Sequence, residues 1–150
     1  MRLSRDGITV VIPAGWEGRV FRLPGTGPTM HAANFPLPPV DGNFGAAATS
    51  SMSDDGVFVA LVEYEPALAG RGLFSSSGVP APLAARHMSP RAMQRLAPGR
   101  SGVQRFFTEA GRAFCLYAVI GSRPSRDALV GRVNDVVSSM HIDPRSTARG

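Results

Sequence analysis

Residues 103–121 read VQRFFTEAGRAFCLYAVIG, and this stretch decides the fold. Two runs rich in β-branched and aromatic residues flank Glu109-Ala110-Gly111, which is typical of a hairpin turn. The second run, residues 114–120, is apolar on both faces, as expected of a strand in the middle of a covered sheet. The stretch therefore predicts a β-hairpin whose second strand lies in the core.

A second central strand is predicted at residues 57–64, VFVALVEY, because its β-branched and aromatic content argues against a helix. Asp6-Gly7 predicts a type I′ hairpin turn, since these residues accept positive φ angles. Glu63, near the end of the central strand, is interpreted as a solvated strand terminus. Further short strands are expected at residues 1–5, 8–12, 19–23 and 29–35, and from Ile142.

One amphipathic helix is predicted over about residues 126–140. Its apolar residues recur at helical spacing and form a single stripe. They are Leu129, Val130, Val133, Val136, Val137 and Met140. The stripe predicts that this helix covers one face of the sheet.

Regular structure is hard to find over residues 66–100, where prolines and glycines recur. A connection of this length inside a compact domain is typical of a lid, a binding loop or a disordered segment. Within it, Ser89 is expected to cap a short helix with Pro90 at its first position, continuing through Met93 and Leu96.

The order of these elements predicts the α+β class, with a predominantly antiparallel sheet of about five to seven strands covered on one face by a C-terminal helix. The 150 residues suit a single domain, expected over residues 1–144. Residues 145–150 are expected to form a flexible tail, because they contain little apolar surface.

Composition excludes several chemistries. All 16 basic residues are arginine, so a P-loop lysine, a Schiff-base lysine and a Ser-x-x-Lys nucleophile pair are impossible. The histidines at 31, 87 and 141 stand alone, and Cys115 lies in the middle of a strand, where a cysteine is typically a small core residue. We therefore predict no catalytic residue, no metal ligand and no cofactor. The sequence favours a protein that is not an enzyme and leaves an enzyme as an open alternative.

No apolar run approaches the ~20 residues that span a bilayer, and no apolar stretch of signal-peptide length follows Met1 and Arg2. The single cysteine agrees with a reducing compartment. These features predict a cytoplasmic protein that does not bind membranes.

Charge is distributed unevenly along the chain. Residues 1–65 carry four arginines against seven acids, net −3, whereas residues 66–126 carry nine arginines against Glu109 alone, net +8. One interpretation is that these arginines pair with acids of the first third of the chain. The other is a surface that recognises anions, since the planar guanidinium suits carboxylate or phosphate. The candidate partner-binding residues are Arg86, Arg91, Arg95, Arg100 and Arg105.

Two stretches at the ends of the chain resemble the framing of PsbP-like domains. They are ITVVIPAGWEGRVF at residues 8–21 and VNDVVSSMHI at residues 133–142. The middle of the chain, HAANFPLP at 31–38 and FFTEAGRAFCLYAVIG at 106–121, resembles a set of small uncharacterised actinobacterial proteins. The resemblance implies an antiparallel sheet with helical cover, and binding or assembly roles rather than catalysis.

The sequence therefore predicts a non-catalytic binding or assembly module that contacts an acidic protein surface through its arginine-rich loop region. Nucleic acid is the less suitable anion, because no aromatic residue lies between Arg86 and Arg105 to stack a base. A weak nucleic-acid binder remains one alternative. The other is a small-molecule-binding protein or enzyme with a pocket under residues 66–100, lined by Trp16, His31 and His87.

Overall fold

The computed structural model describes residues 1–95 and 97–145, and its centre is the predicted hairpin. The turn is formed by Ala110 and Gly111, whose φ angles of 54° and 74° suit a type I′ turn. Asp6 and Gly7 have φ angles of 54° and 77° and form the first hairpin in the same way. Both turn predictions are confirmed.

In the described chain the strands are β1 (Arg2–Arg5), β2 (Ile8–Val11), β3 (Glu17–Arg22), β4 (Pro28–Ala33), β5 (Val57–Glu63), β6 (Ser101–Glu109), β7 (Arg112–Ile120) and β8 (His141–Ile142). The α-helices are α1 (Ala46–Ser50) and α2 (Arg126–Val137).

The strands form two antiparallel sheets, so the predicted α+β class is confirmed. The large sheet has the order β3-β4-β5-β7-β6, and a small sheet has the order β1-β2-β8. The division into two sheets was not anticipated. Its physical reason lies at Pro13 and Gly15, which interrupt the chain after β2 and separate it from β3.

Helix α2 covers one face of the large sheet, as predicted, although it ends at Val137. Its five apolar residues from Leu129 to Val137 are buried, and Val133 has no exposed surface. They join side chains of β5, β7 and the small sheet in the larger of the two hydrophobic clusters formed by the described residues. This α2-side core holds the two sheets together, because both contribute to it.

The opposite face of the large sheet is covered by residues 34–52, which include α1, and by part of the long connection. Phe58, Ala60 and Tyr117 from the sheet pack there against Ala48 and Met52. Gly45 precedes α1 with a φ of 68°, and a Cβ at this position would clash with the Phe58 ring. Only glycine suits this position, because the conformation and the close approach both exclude a side chain.

In its described residues, the long connection between β5 and β6 contains four single 3-10 turns, at Pro66–Leu68, Gly72–Phe74, Ala85–His87 and Pro90–Ala92. The cap at Ser89 is confirmed, since its hydroxyl accepts the Arg91 N–H at 3.2 Å. The expected continuation of the helix through Met93 is wrong. Met93 is extended, with a ψ of 143°, and is buried in the core on the α1 side of the sheet. Leu96, the predicted end of that helix, lies outside the described residues.

Arg145, the first residue of the expected tail, contacts the carboxylate of Glu63, and residues 146–150 lie outside the described residues.

Over the ranges 1–95 and 97–145, no helix has the length and apolar character needed to cross a bilayer.

Candidate functional site at the edge of strand β6

Strand β6 is an edge strand of the large sheet, and the long connection pairs with both of its ends. At the first end, Ser89 and Gly102 exchange two backbone hydrogen bonds of 2.8 and 2.9 Å. At the other end, the Thr108 N–H donates to the Ser76 carbonyl and the Gly78 N–H donates to the Thr108 carbonyl, both at 2.8 Å. We call these two contacts the clamps.

The middle of the β6 edge, between the clamps, is open. Glu109 and Arg112 flank the two-residue turn and form a hydrogen-bonded pair. In an antiparallel ladder such pairs alternate, so the odd-numbered residues of β6 direct their backbone N–H and carbonyl groups toward β7. Gln104 and Phe106 therefore direct their backbone groups away from the sheet. Among the described residues, their two N–H groups and the Phe106 carbonyl have no hydrogen-bond partner, while the Gln104 carbonyl accepts Nη1 of Arg105 at 3.1 Å.

A groove opens beside this edge because the connection leaves it to pack on α2. The Asn134 amide of α2 holds the backbone of Leu83 through two hydrogen bonds of 2.7 and 2.8 Å. The chain is thereby drawn away from β6 between the clamps. The resulting groove has a volume of about 320 Å³ and is lined by residues 76–83 together with His87, Arg105, Phe106 and Phe107.

The surroundings of the groove are basic. Arg105 and His87 line it, and Arg86, the neighbour of His87, is exposed. Burial, then the positive charges of Arg105 and Arg86, lower the pKa of His87 below its ordinary value. His87 is therefore neutral at pH 7, and its Nδ1 accepts the Ala84 N–H at 3.3 Å. The positive charge at the groove comes from the two arginines.

The five candidate arginines have no acidic partner in the described chain. None of them lies within 4.0 Å of a carboxylate over residues 1–95 and 97–145. The interpretation that they pair with acids of the first third is therefore wrong for these five. Within the same described part, Arg112 is the member of the basic 66–126 stretch that does make such a pair.

The five arginines do not form one cluster. Arg105 lines the groove, whereas Arg86, Arg91 and Arg95 are exposed on the connection. Arg100 is different, because its guanidinium donates to the carbonyls of Thr49, at 2.6 Å, and Met52. It fastens the end of the connection to the end of α1, so its role is structural.

The predicted pocket lined by Trp16, His31 and His87 is not formed. His31 is fully buried on the α1 side of the sheet, where its ring lies edge-on to Phe21 and Phe58 at 4.8 and 4.9 Å. Trp16 is half-buried against the α2-side core, and His87 lies at the β6 groove. The sheet separates Trp16 from His31, which rules out a shared cavity.

Neither thiol nor metal chemistry has a site in the described residues. Cys115 is buried, and burial raises the pKa of its thiol to about 12, so no thiolate nucleophile forms at neutral pH. No group of three or more histidine, cysteine or acidic side chains is placed to hold a metal ion within residues 1–95 and 97–145.

Glu63 is not the solvated strand terminus that the sequence suggested. Its carboxylate is fully buried and accepts Nε and Nη2 of Arg112 at 3.0 and 2.8 Å. Arg112 also donates to the carbonyls of Asp6 and Asp143 at 2.9 and 3.0 Å, which ties the small sheet to the large one. The signal that sequence reasoning missed is Arg112 itself, a charge at the start of a buried strand, where a partner is required.

Two further cavities of about 410 and 420 Å³ lie around this ion pair. Their arginines already have acidic partners. Arg145 contacts Glu63, and Arg22 lies 3.6 Å from Asp6. The β6 groove is a stronger candidate site than these two cavities, because its arginines have no acidic partner in the described chain.

The buried His31 should make the free energy of unfolding depend on pH. Burial lowers its pKa from 6.5 to about 4, so between these values the unfolded chain binds a proton that the folded chain does not. Stability is fully present above about pH 6.5 and is lost as the pH falls toward 4, by about 3 kcal/mol. Urea unfolding at pH 7.5 and 4.5 measures this loss.

Two variants test whether His31 causes this pH dependence of stability. His31→Leu should remove most of the loss, and replacement of the exposed His141 by asparagine should leave it unchanged. If His31→Leu loses as much stability on acidification as the parent, another group causes the effect.

No protein-family model, no curated protein and no solved structure matches this chain. Fold and groove together define an α+β protein with a basic groove at a partly open sheet edge. The resemblance to PsbP-like domains stays a prediction.

Proposed function

We propose that this protein is a non-catalytic binding or assembly module that contacts an acidic surface of a partner protein through its arginine-rich connection. The observation that carries the proposal is the set of exposed arginines at 86, 91 and 95, which have no carboxylate within 4.0 Å in the described residues. Guanidinium groups bind carboxylates in a planar, bidentate geometry. Carboxylates of a partner would complete these contacts.

The available aromatic residues favour protein over nucleic acid as the anion. Single-stranded nucleic acids are held by bases stacked on exposed aromatic rings, and none lies between Arg86 and Arg105. Phe106, the next aromatic residue along the chain, packs with Phe74 and Tyr64 at ring distances of 5.5 and 6.2 Å. Its ring already has partners within the protein.

A charge reversal tests the proposal. The variant Arg86→Glu, Arg91→Glu and Arg95→Glu should bind poly-L-glutamate at least about tenfold more weakly at 0.15 M salt, because attraction becomes repulsion. It should fold normally, since exposed substitutions usually change stability by no more than about 0.5 kcal/mol each. Fluorescence anisotropy measures the affinity. Arg100 is left in place because its substitution would release the end of α1.

The matched control reverses Arg2, Arg126 and Arg132, three exposed arginines outside the connection. It changes the net charge equally and should bind poly-L-glutamate as the parent does. Equal weakening in both variants would mean that only net charge matters, which contradicts the proposal. Duplex DNA is the rival ligand. Tighter binding to DNA than to poly-L-glutamate, with a steep dependence on salt, would favour a nucleic-acid binder instead.

A further inference from the structure

We propose that the open edge of β6 takes up a short extended segment of the acidic partner as an additional antiparallel strand, placed between the two clamps. The inference rests on the proposed function, because it assumes an acidic partner, and it specifies how and where that partner binds. The partner segment is predicted to alternate between apolar and acidic residues, with an acidic residue opposite Arg105.

The backbone of β6 supplies the first argument. An exposed sheet edge is a template for another chain, and proteins usually cover such edges or protect them with charge. Here the connection pairs with the edge at Gly102 and Thr108 and leaves it between them, so the N–H groups of Gln104 and Phe106 and the Phe106 carbonyl have no hydrogen-bond partner among the described residues. The six residue steps between the clamps span about 20 Å. This length admits a short strand opposite residues 103–107.

The side chains of β6 supply the second argument. Residues directly opposite each other on paired strands share one face of the sheet. Arg105 lies on the α2 side, between the buried Val103 and Phe107. A partner residue opposite Arg105 would therefore meet its guanidinium, near His87 and Arg86, and a carboxylate suits this position.

On the α1 side of the sheet, β6 favours apolar side chains in the partner segment. Phe106 lies on that face and packs against Phe74 and Tyr64. Partner residues opposite Gln104 and Phe106 would lie beside this aromatic group, so apolar residues suit both positions. The favoured segment therefore places an acidic residue between two apolar ones.

The test uses the labelled peptide acetyl-Glu-Val-Glu-Val-Glu-amide and two variants of residue 104. Gln104→Pro removes an N–H that faces away from β7, so the ladder to β7 stays intact, and proline is tolerated on edge strands. Gln104→Ala keeps the N–H and loses the same side-chain bond to the Ala92 carbonyl. We expect the proline variant to bind the peptide about tenfold more weakly than the alanine variant, because a backbone hydrogen bond is lost.

Two modified peptides repeat the test on the unaltered protein, which covers the case in which Gln104→Pro does not fold. In an antiparallel pairing the valine N–H groups face β6 and that of the central glutamate faces away. N-methylation of both valines should therefore abolish binding, whereas N-methylation of the central glutamate should leave the affinity within about twofold of the unmodified peptide.

The outcomes separate this inference from the proposed function. If the proline and alanine variants bind equally and N-methylation of the valines has no effect, strand pairing is wrong. If the Arg86, Arg91 and Arg95 reversal still weakens poly-L-glutamate binding at least about tenfold in that case, the proposed function stands and only its mode of contact fails. If that reversal has no effect, the proposed function itself is wrong.

Discussion

An Arg112→Met variant is expected to lose about 3–5 kcal/mol of the free energy of unfolding, the usual cost of breaking a buried ion pair. Arg112 is only 3% exposed, and its guanidinium binds Glu63 and the carbonyls of Asp6 and Asp143. Methionine would fill the space without donating any hydrogen bond. Because typical domains are stable by about 5–15 kcal/mol, this loss is large. Urea unfolding at pH 7 measures it.

Two comparisons show whether burial of the charge is the cause. Arg145 also contacts Glu63, but its side chain is 39% exposed, so Arg145→Met should cost at most about 1 kcal/mol. Replacing Glu63 by leucine together with Arg112→Met should recover part of the loss, since no buried charge is then left without its main partner. Equal stability of the Arg112→Met and Arg145→Met variants would contradict this account.

The parts of the fold that depend on local pattern were predictable from the sequence. Residues 57–64 and 114–120 are continuous apolar runs, and the structure places β5 and β7 there, with boundaries that differ by two residues at most. The turn at Asp6-Gly7 follows from the conformational preference of this residue pair. At Ala110-Gly111 only the glycine favours a positive φ, and the two flanking strand-like runs indicate the turn. In each case, residues close together in the chain carry the whole signal.

The ion pair between Glu63 and Arg112 was not predictable in this way. The two residues are 49 positions apart, and their contact depends on the register between β5 and β7. The pairing of β8 with β2 joins residues that are still farther apart in the chain. Such contacts are set by the three-dimensional arrangement, which the apolar pattern of one strand does not encode.

The candidate site depends partly on local sequence pattern and partly on contacts between distant segments of the chain. The run of arginines is a local feature, and the sequence identified it together with the long connection that carries it. The open edge at Gln104 and Phe106 depends on Asn134, which draws the connection away from β6 by holding Leu83. No pattern within residues 66–100 indicates that contact, because its partner lies in α2.

Replacement of Val133 by aspartate should destabilise the protein by about 4 kcal/mol or more, because it places a carboxylate without a partner in the α2-side core. Val133 has no exposed surface, and its neighbours in that core are apolar side chains of both sheets. The variant should be largely unfolded at 37 °C, which circular dichroism and urea titration would measure.

The matched control is Ala128→Asp, at an exposed position of the same helix. It should change stability by no more than about 0.5 kcal/mol, since an acidic residue near a helix N-terminus is favoured. If Val133→Asp melts within a degree or two of the parent, α2 does not cover the sheet as described.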